Sequence, residues 1–292
     1  MRARLENLSA PARLAAFVLL LALIGGLATL AGAATGGGSV TTADRTSDDM
    51  AMDQMTPAEQ LAANGLASVA GGYSFVSEQT RLPLGKTTAF RFHILDEQGT
   101  PVRELDVDGG VRVHLIVVRR DFVGYQHVHP RLQPDGSWTV PLALAAPGVY
   151  RAFADFEIDG TKTVLGQDLF VPGPLAPAQL PPVAPVTATD GYTVRLTHDE
   201  LRANEETKLR FAISRNARPV RAFDSYVGHR GHLVALRDGD LSYSHVHPEP
   251  DARIGQIVFH AALPSAGHYR LFLQFKVDGV VHTAPFTVEV LR

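Results

Sequence analysis

The chain of 292 residues has no cysteine. This absence excludes disulfide bridges, thiolate metal sites, cysteine nucleophiles and copper centres that require a cysteine ligand. An excess of basic charge is also missing, because 27 Lys and Arg residues stand against 30 Asp and Glu residues, for a formal net charge of −3. Without a positive field the chain has no electrostatic hold on phosphate backbones, so we exclude nucleic acid as a partner.

Sustained helical periodicity is absent beyond the N-terminal segment, so no long amphipathic helix is predicted there. Stretches such as Thr88–Ile94 and Val149–Phe156 alternate instead between apolar and polar residues, which is the pattern of half-buried strands. Asp-Gly pairs at 135, 159, 238 and 278 mark turns between them. We therefore expect an all-β protein after the N-terminal segment.

The N-terminal segment, residues 1–35, has an uncharged apolar stretch, Leu14–Ala34, preceded by Arg2, Arg4 and Arg13. About 20 apolar residues in a helix span the hydrocarbon core of a bilayer. The basic flank places the rest of the chain on the extracytoplasmic face of the cell membrane. We expect either a transmembrane anchor or a cleaved signal peptide, which would make the protein secreted, and both alternatives stay open.

Residues 36–71 are rich in Gly, Ser and acidic side chains, and we predict a flexible linker to the membrane segment. Apart from the initiator, the chain's methionines lie there, at Met50, Met52 and Met55. Soft thioethers favour Cu(I), so these residues are candidate copper ligands. The alternative is that three methionines in a linker have no role in metal binding.

The remaining sequence is a tandem repeat, residues 72–171 and 190–292, joined by a Pro-rich linker, 172–189. Matching motifs include Pro101-Val102-Arg103 with Pro219-Val220-Arg221, and Gly148-Val149-Tyr150-Arg151 with Gly267-His268-Tyr269-Arg270. Each repeat offers about seven short strands in roughly 100 residues, which favours an immunoglobulin-like β-sandwich. The predicted fold is therefore two tandem sandwiches after an N-terminal hydrophobic helix.

Histidines recur at equal spacing in the two repeats. Each repeat has one histidine 13 positions before a His-Val-His-Pro motif. A two-residue turn at Asp238-Gly239 would place His232 directly opposite His245, with His247 on the diagonal. We predict one three-histidine metal site per repeat. The candidate ligands are His114, His127 and His129 in the first, and His232, His245 and His247 in the second, with His229 as an additional ligand.

Neutral imidazole binds Cu(II), Zn(II) and Ni(II). Copper is the expected ion because of the methionines, and zinc is the alternative. The same strand faces also carry apolar residues, Ile116 and Val118 in one repeat and Val234 and Leu236 in the other. The second hypothesis is thus a non-catalytic structural or protein-interaction module with histidines inside its core. No Glu or Ser recurs beside the histidines, so we do not expect an enzyme.

The motifs Gly231-His232-Leu233-Val234, His245-Val246-His247-Pro248 and Gly267-His268-Tyr269-Arg270 resemble those of exported or membrane-anchored hypothetical proteins of actinobacteria. Those proteins carry tandem immunoglobulin-like units, and some are encoded beside heavy-metal or copper-handling genes. The resemblance implies an envelope location and a sandwich fold. For a metal-binding protein in that location, an envelope metal-handling protein is the candidate partner. Family members commonly have Gly-Ala-x-Gly-His where this chain has His229 in the second position, and the meaning of that departure is open.

Overall fold

The computed structural model describes residues 64–244, 246–249 and 253–292. All regular secondary structure in this part is β-strand, which confirms the all-β prediction for these residues. The predicted N-terminal helix lies outside the described residues. No helix that could cross a membrane is found in the part of the chain that the structure describes.

The N-terminal repeat builds two antiparallel sheets, in the orders β1-β2-β3-β7-β6 and β5-β4-β8-β9. Its strands are β1 (Val69–Ala70), β2 (Tyr73–Ser77), β3 (Thr88–Leu95), β4 (Val113–Arg119), β5 (Gln126–Val128), β6 (Arg131–Leu132), β7 (Trp138–Leu142), β8 (Gly148–Ile158) and β9 (Thr161–Val171).

The C-terminal repeat has the sheets β10-β11-β12-β17-β16, with β13 on β12, and β15-β14-β18-β19. Its strands are β10 (Val186–Thr189), β11 (Tyr192–Thr197), β12 (Glu206–Arg215), β13 (Arg218–Pro219), β14 (Gly231–Arg237), β15 (Tyr243–Ser244), β16 (Val246–Pro248), β17 (Gln256–Ala262), β18 (Gly267–Val277) and β19 (Val280–Val290). Strand β10 begins inside the predicted Pro-rich linker.

Both repeats are β-sandwiches of immunoglobulin-like topology. One sheet corresponds to strands A, B and E, and the other to C, F and G with an added C′ strand. Aromatic side chains from both sheets fill each core, including Phe92 and Phe156 in the N-terminal repeat and Phe211 and Phe275 in the C-terminal one. The predictions of a β-sandwich and of a tandem repeat are confirmed.

Strand β4 is buried along its whole length, and its two faces serve different cores. Leu115 and Val117 point into the N-terminal sandwich. Ile116 and Val118 point the other way, into a third apolar cluster that also contains Val234 from β14. Successive side chains on a strand alternate between faces, so an uninterrupted apolar run is what a doubly covered strand requires.

This third cluster joins the two repeats, and its contacts are related by an approximate twofold exchange. Tyr125 stacks on Phe272 with ring centroids 4.0 Å apart, and the equivalent pair, Tyr243 and Phe153, lies at 5.7 Å. A self-complementary patch of this kind is typical of twofold interfaces between identical subunits. The apolar faces that the sequence suggested as core are therefore a core between the repeats.

The described end of the predicted flexible linker packs against both repeats. The backbone carbonyl of Asn64 accepts a hydrogen bond from the amide of Tyr243, at 2.9 Å. The carbonyl of Gly65 accepts from the Arg151 guanidinium, at 2.7 Å. Gly65 is buried, and a Cβ there would meet the Phe153 ring at 2.4 Å. Residues 64–67 thus belong to the folded part, contrary to the expectation of a linker through 71.

Candidate metal centre

Three histidines of the N-terminal repeat converge at the boundary between the repeats. His114 lies on β4, on the face that points to the C-terminal repeat. His127 lies on β5, opposite Ile116, and His129 follows directly after β5. One ring nitrogen from each of the three lies within 4.8 Å of the others. This group could hold a metal ion.

The hydrogen bonds of these histidines indicate which ring nitrogens carry a free lone pair. The Nδ1–H of His127 donates to Oε1 of Gln274, on β18, at 2.7 Å. In a neutral ring the Nε2 of His127 then carries a lone pair, which accepts from Nδ1 of His114 at 2.9 Å. This leaves a lone pair on Nε2 of His114. That atom and Nε2 of His129 are buried without a hydrogen-bond partner among the described residues.

Burial keeps these rings neutral. Desolvation, followed by the charge of His129, lowers the pKa of His114 to about 4. Desolvation, reinforced by His114 and His129, lowers the pKa of His127 well below its usual value. Desolvation also lowers the pKa of His129. Metal ligands must be unprotonated, so the rings are ready to bind at neutral pH without losing protons first.

The spacing fits a metal after a small movement. Ligands about 2.1 Å from a common ion lie no more than about 4.2 Å apart. In a tetrahedral site such ligands lie about 3.4 Å apart, so the spread of 4.8 Å requires the ring nitrogens to close by up to about 1.4 Å, with loss of the hydrogen bond between His114 and His127. The bond from His127 to Gln274 can stay, because it uses the opposite ring nitrogen. Such an outer hydrogen bond fixes the orientation of a ligating imidazole.

His232 joins this group from the C-terminal repeat. Its ring stacks on that of His114, with centroids 5.4 Å apart and planes at 11°, and lies 4.5 Å from the ring of His127. The two repeats therefore contribute to one histidine cluster, which we define as His114, His127, His129 and His232. The prediction of a separate site in each repeat is wrong for the C-terminal repeat.

The predicted hairpin register explains part of this error. Strand β14 pairs Ala235 with Ser244 and Leu236 with Tyr243, two positions away from the register that would oppose His232 and His245. The loop has four residues, closed by the amide of Arg237 donating to the Ser242 carbonyl at 3.0 Å. Leu241 within it has a φ of 63° and is fully buried in the cluster between the repeats. Burial of this leucine stabilises the longer loop.

The second part of the error is a change of sheet. Strand β16 leaves the sheet of His232 and pairs with β17, where His247 lies opposite His260. Val246 points into the sandwich core, so His247, the next residue along the strand, lies on the exposed outer face. His232 and His247 thus belong to different sheets. His245, Met50, Met52 and Met55 lie outside the described residues, and His229 is exposed on a loop.

Pro141 explains why the N-terminal repeat keeps His129 in the cluster. Extending the pairing of β6 and β7 by two residues would place His129 opposite Pro141, in a position where the two residues exchange hydrogen bonds. Proline has no N–H to donate, so the ladder stops. The equivalent residue of the C-terminal repeat is His260, which has an N–H and pairs with His247. The pairing of β16 and β17 therefore includes His247, which lies outside the cluster.

The cluster opens into a cleft of about 970 Å³ between the repeats. His127 and His129 line the cleft from one repeat, and Tyr226 and Gln274 line it from the other. Sequence reasoning missed Gln274 and Tyr226 because it treated each repeat alone. A glutamine within the apolar strand β18 was the available signal, since a buried polar side chain needs a partner.

The family comparison agrees with the duplicated architecture. The sequence profile of a family described as "Domain of unknown function (DUF8832)" matches residues 67–171 and again residues 187–292. The chain belongs to the DUF8832 family. Both matched segments of this DUF8832 protein correspond to sandwich repeats, and the histidine cluster draws on both. No match was found among curated proteins.

Several solved structures are similar at low identity. A chimeric titin Z1Z2-Z1Z2 tandem shares 14% identity over 75% of this chain and 98% of its own, with a TM-score of 0.20. The Escherichia coli adhesin FdeC shares 14% over 77% and 67%, with a TM-score of 0.25. A mutant Salmonella alpha-2-macroglobulin shares 13% over 81% and 16%, with a TM-score of 0.27. These similarities carry no argument about function.

Proposed function

We propose that the protein binds one first-row transition-metal ion through His114, His127 and His129, and that it does so in the cell envelope. The convergence of three ring nitrogens, with buried and unpartnered Nε2 atoms on two of them, carries the proposal. The basic residues before the apolar stretch at 14–34 support the extracytoplasmic location. Sequestration, delivery to an envelope metal-handling protein, or sensing would be the role.

The donor set limits the choice of ion. Three imidazoles suit Zn(II), Cu(II) and Ni(II), and they suit Mg(II) and Ca(II) poorly because those ions prefer oxygen ligands. Copper was expected from methionines that lie outside the described residues, and the three imidazoles of the cluster do not by themselves identify the ion. We therefore propose the ion as a member of this group, to be identified by titration.

The residues that line the cleft support a role in metal binding without catalysis. None of the described residues that line it is Asp or Glu, so no carboxylate is placed there to act as a general base. Desolvation raises the pKa of Tyr226 to about 12, which keeps that hydroxyl protonated at neutral pH.

A second candidate role is structural. The bond from His127 to Gln274 and the stacking of His114 on His232 both cross the boundary between the repeats. A buried and hydrogen-bonded cluster could fasten the two sandwiches without a metal. In that case the protein would be a rigid two-domain spacer or interaction module, and truncation of a cluster histidine would reduce stability rather than remove a ligand.

Calorimetric titration of the full chain, in mild detergent, separates the two roles. We expect one tight equivalent of Zn(II), Cu(II) or Ni(II), and loss of that binding in His129→Ala. The matched control is His247→Ala, the equivalent residue of the other repeat, which should bind as the wild type does. Absence of metal binding in the wild type, together with a lower unfolding temperature for His129→Ala, would favour the structural role.

A further inference from the structure

The cleft beside the histidine cluster has a charge pattern that its metal site alone does not explain. Among the described residues that line it are two arginines, Arg112 and Arg131, and none of those residues is acidic. Both arginines are exposed. Arg112 donates to the carbonyl of Leu105, whereas Arg131 lies two residues after His129. The cleft is therefore cationic next to a group of uncharged metal ligands.

A bound metal ion would add to the positive charge of the cleft. Ligating imidazoles are neutral, so a divalent ion held by three of them keeps its full charge of +2. Three protein ligands leave a coordination position open on such an ion, provided that His232, which belongs to the cluster but does not line the cleft, stays outside the coordination sphere. His127 and His129 line the cleft while His114 is buried behind them, so the open position would face the cleft. The groups around that position favour an anion.

The size and the remaining lining indicate an organic anion. Pockets for small organic molecules occupy about 300–1,000 Å³ and combine apolar walls with a few polar groups. This cleft has a volume of about 970 Å³. Leu132 and Val281 form an apolar part of its wall. Gln274 and Thr283 supply uncharged polar groups. A hydrated inorganic anion would gain nothing from the apolar part.

We propose that the cleft binds an organic carboxylate, whose carboxylate group takes the open position on the metal and pairs with Arg131, while its apolar body lies against Leu132 and Val281. The inference rests on the proposed function, because the metal supplies most of the attraction. It adds a ligand class to the site. The protein would then bind or carry a metal together with a carboxylate, rather than the metal alone.

Cyclohexanecarboxylate and its neutral counterpart, cyclohexanecarboxamide, are suitable probes. Each is titrated by calorimetry into the zinc-loaded full chain and into the metal-free chain. The emission of Trp138 is a local reporter, because it is the chain's one tryptophan and it lines the cleft. We expect the carboxylate to bind the zinc-loaded chain at least about tenfold more tightly than the metal-free chain, since only the zinc-loaded chain adds the charge and the open position of the metal to the charged bond with Arg131. The amide should bind neither form.

A variant pair assigns the position. Arg131→Ala should weaken binding of the carboxylate about tenfold, in line with the loss of one charged hydrogen bond. Arg195→Ala removes an exposed arginine from β11, which does not line the cleft, and should leave binding unchanged. Zinc binding itself should be the same in both variants and in the wild type.

The outcomes distinguish the two proposals. If zinc binds but the carboxylate and the amide bind equally, or neither binds, the carboxylate proposal is wrong and the metal site stands. If Arg131→Ala and Arg195→Ala behave alike, the carboxylate is not held in this cleft, and the proposal is again overturned. If zinc does not bind at all, the metal site fails first, and the carboxylate proposal falls with it.

Discussion

The two repeats carry the same histidine pattern at the same spacing, yet they use it differently. In the N-terminal repeat His127 stays beside β4 and His129 follows it into the cluster. In the C-terminal repeat His232 enters that same cluster, while His247 lies on the outer face of another sheet. A conserved spacing between repeats therefore does not ensure a conserved site. The point at which the chain changes sheets decides which histidines meet.

A second pair of equivalent positions shows the same divergence. Asp155 on β8 lies opposite His114, and Gln274 on β18 lies opposite His232. Asp155 accepts a hydrogen bond from the Tyr243 hydroxyl at 2.9 Å, across the boundary between the repeats. Gln274 instead accepts from His127. Both contacts cross the boundary between the repeats, and the one from Gln274 would also orient His127 in the proposed metal site.

The largest effect on zinc affinity should come from replacing Pro141, the residue that stops the pairing of β6 and β7 before His129. Pro141→Val restores an N–H opposite His129, so β6 can extend and draw His129 out of the cluster. Loss of a ligand costs more than loss of its outer hydrogen bond, which is worth about 10–100-fold, so zinc affinity should fall by more than about 100-fold. Zinc titration measures this effect.

The matched control for this variant is His260→Val, at the equivalent position of the C-terminal repeat. His260 lies on β17, outside the histidine cluster, so its replacement should leave zinc affinity unchanged. Amide hydrogen exchange at position 141 of Pro141→Val should show a protected N–H. Unchanged zinc affinity in Pro141→Val would mean that His129 is held in the cluster by something other than the missing donor.

Gln274→Met tests whether the C-terminal repeat helps to build the site. The methionine matches glutamine in length but accepts no strong hydrogen bond, so Nδ1 of His127 loses its shorter contact, at 2.7 Å, and keeps the Tyr226 hydroxyl at 3.3 Å. Zinc affinity should fall about 10–100-fold, as it does when outer hydrogen bonds to ligating histidines are removed. If affinity is retained, the N-terminal repeat holds the metal without help.

Much of this architecture was predictable from the sequence, because strand alternation and turn residues are local signals. The two sandwiches follow from them, and so do the strand faces that carry Ile116 and Val234. The docking of one repeat on the other was not predictable, since it depends on two apolar faces matching in space. The histidines lie on strand faces whose apolar residues indicated a core, and those faces form the boundary between the repeats.

The sheet change at His129 was harder to predict than the sandwiches. Its determinant, Pro141, is 12 positions further along the chain, and its effect depends on which way the missing N–H would point. The register error of two residues in the C-terminal hairpin has a similar origin. Asp238-Gly239 is a strong local turn signal, but the buried Leu241 outweighs it. Local signals are reliable here only where no buried side chain competes with them.

Asp155→Asn tests the hydrogen bond between Asp155 and Tyr243 that joins the repeats, and we expect a smaller effect, on the stability of the fold. Burial raises the pKa of Asp155 to about 6, so at neutral pH the folded state holds a charge that it disfavours. Because the folded pKa of this acid is raised, its contribution to stability falls as pH rises from about 4 to about 6. Asparagine still accepts from Tyr243 and has no charge. It should stabilise the fold at pH 8 by on the order of 2 kcal/mol.

Denaturant unfolding at pH 8 and at pH 4 checks this prediction. The stabilisation should be present at the higher pH and nearly absent at the lower one, where Asp155 is protonated in the wild type. Tyr243→Phe serves as the control, because it removes the donor and should destabilise the fold at both pH values. Equal stability of the wild type and Asp155→Asn at pH 8 would contradict the raised pKa.

The smallest expected effect is that of mild acid on zinc binding, and it separates the buried cluster from ordinary surface histidines. A histidine with the usual pKa of about 6.5 loses metal affinity as pH falls through that value. Burial lowers the pKa of His114 to about 4 and also lowers the pKa of His127 and of His129, so these rings keep their lone pairs free of protons to a lower pH than a surface histidine does. The loss of zinc affinity with falling pH should therefore be centred clearly below about 6.5. A decline centred near about 6.5 would show that the bound zinc is held by ordinary surface histidines rather than by the cluster.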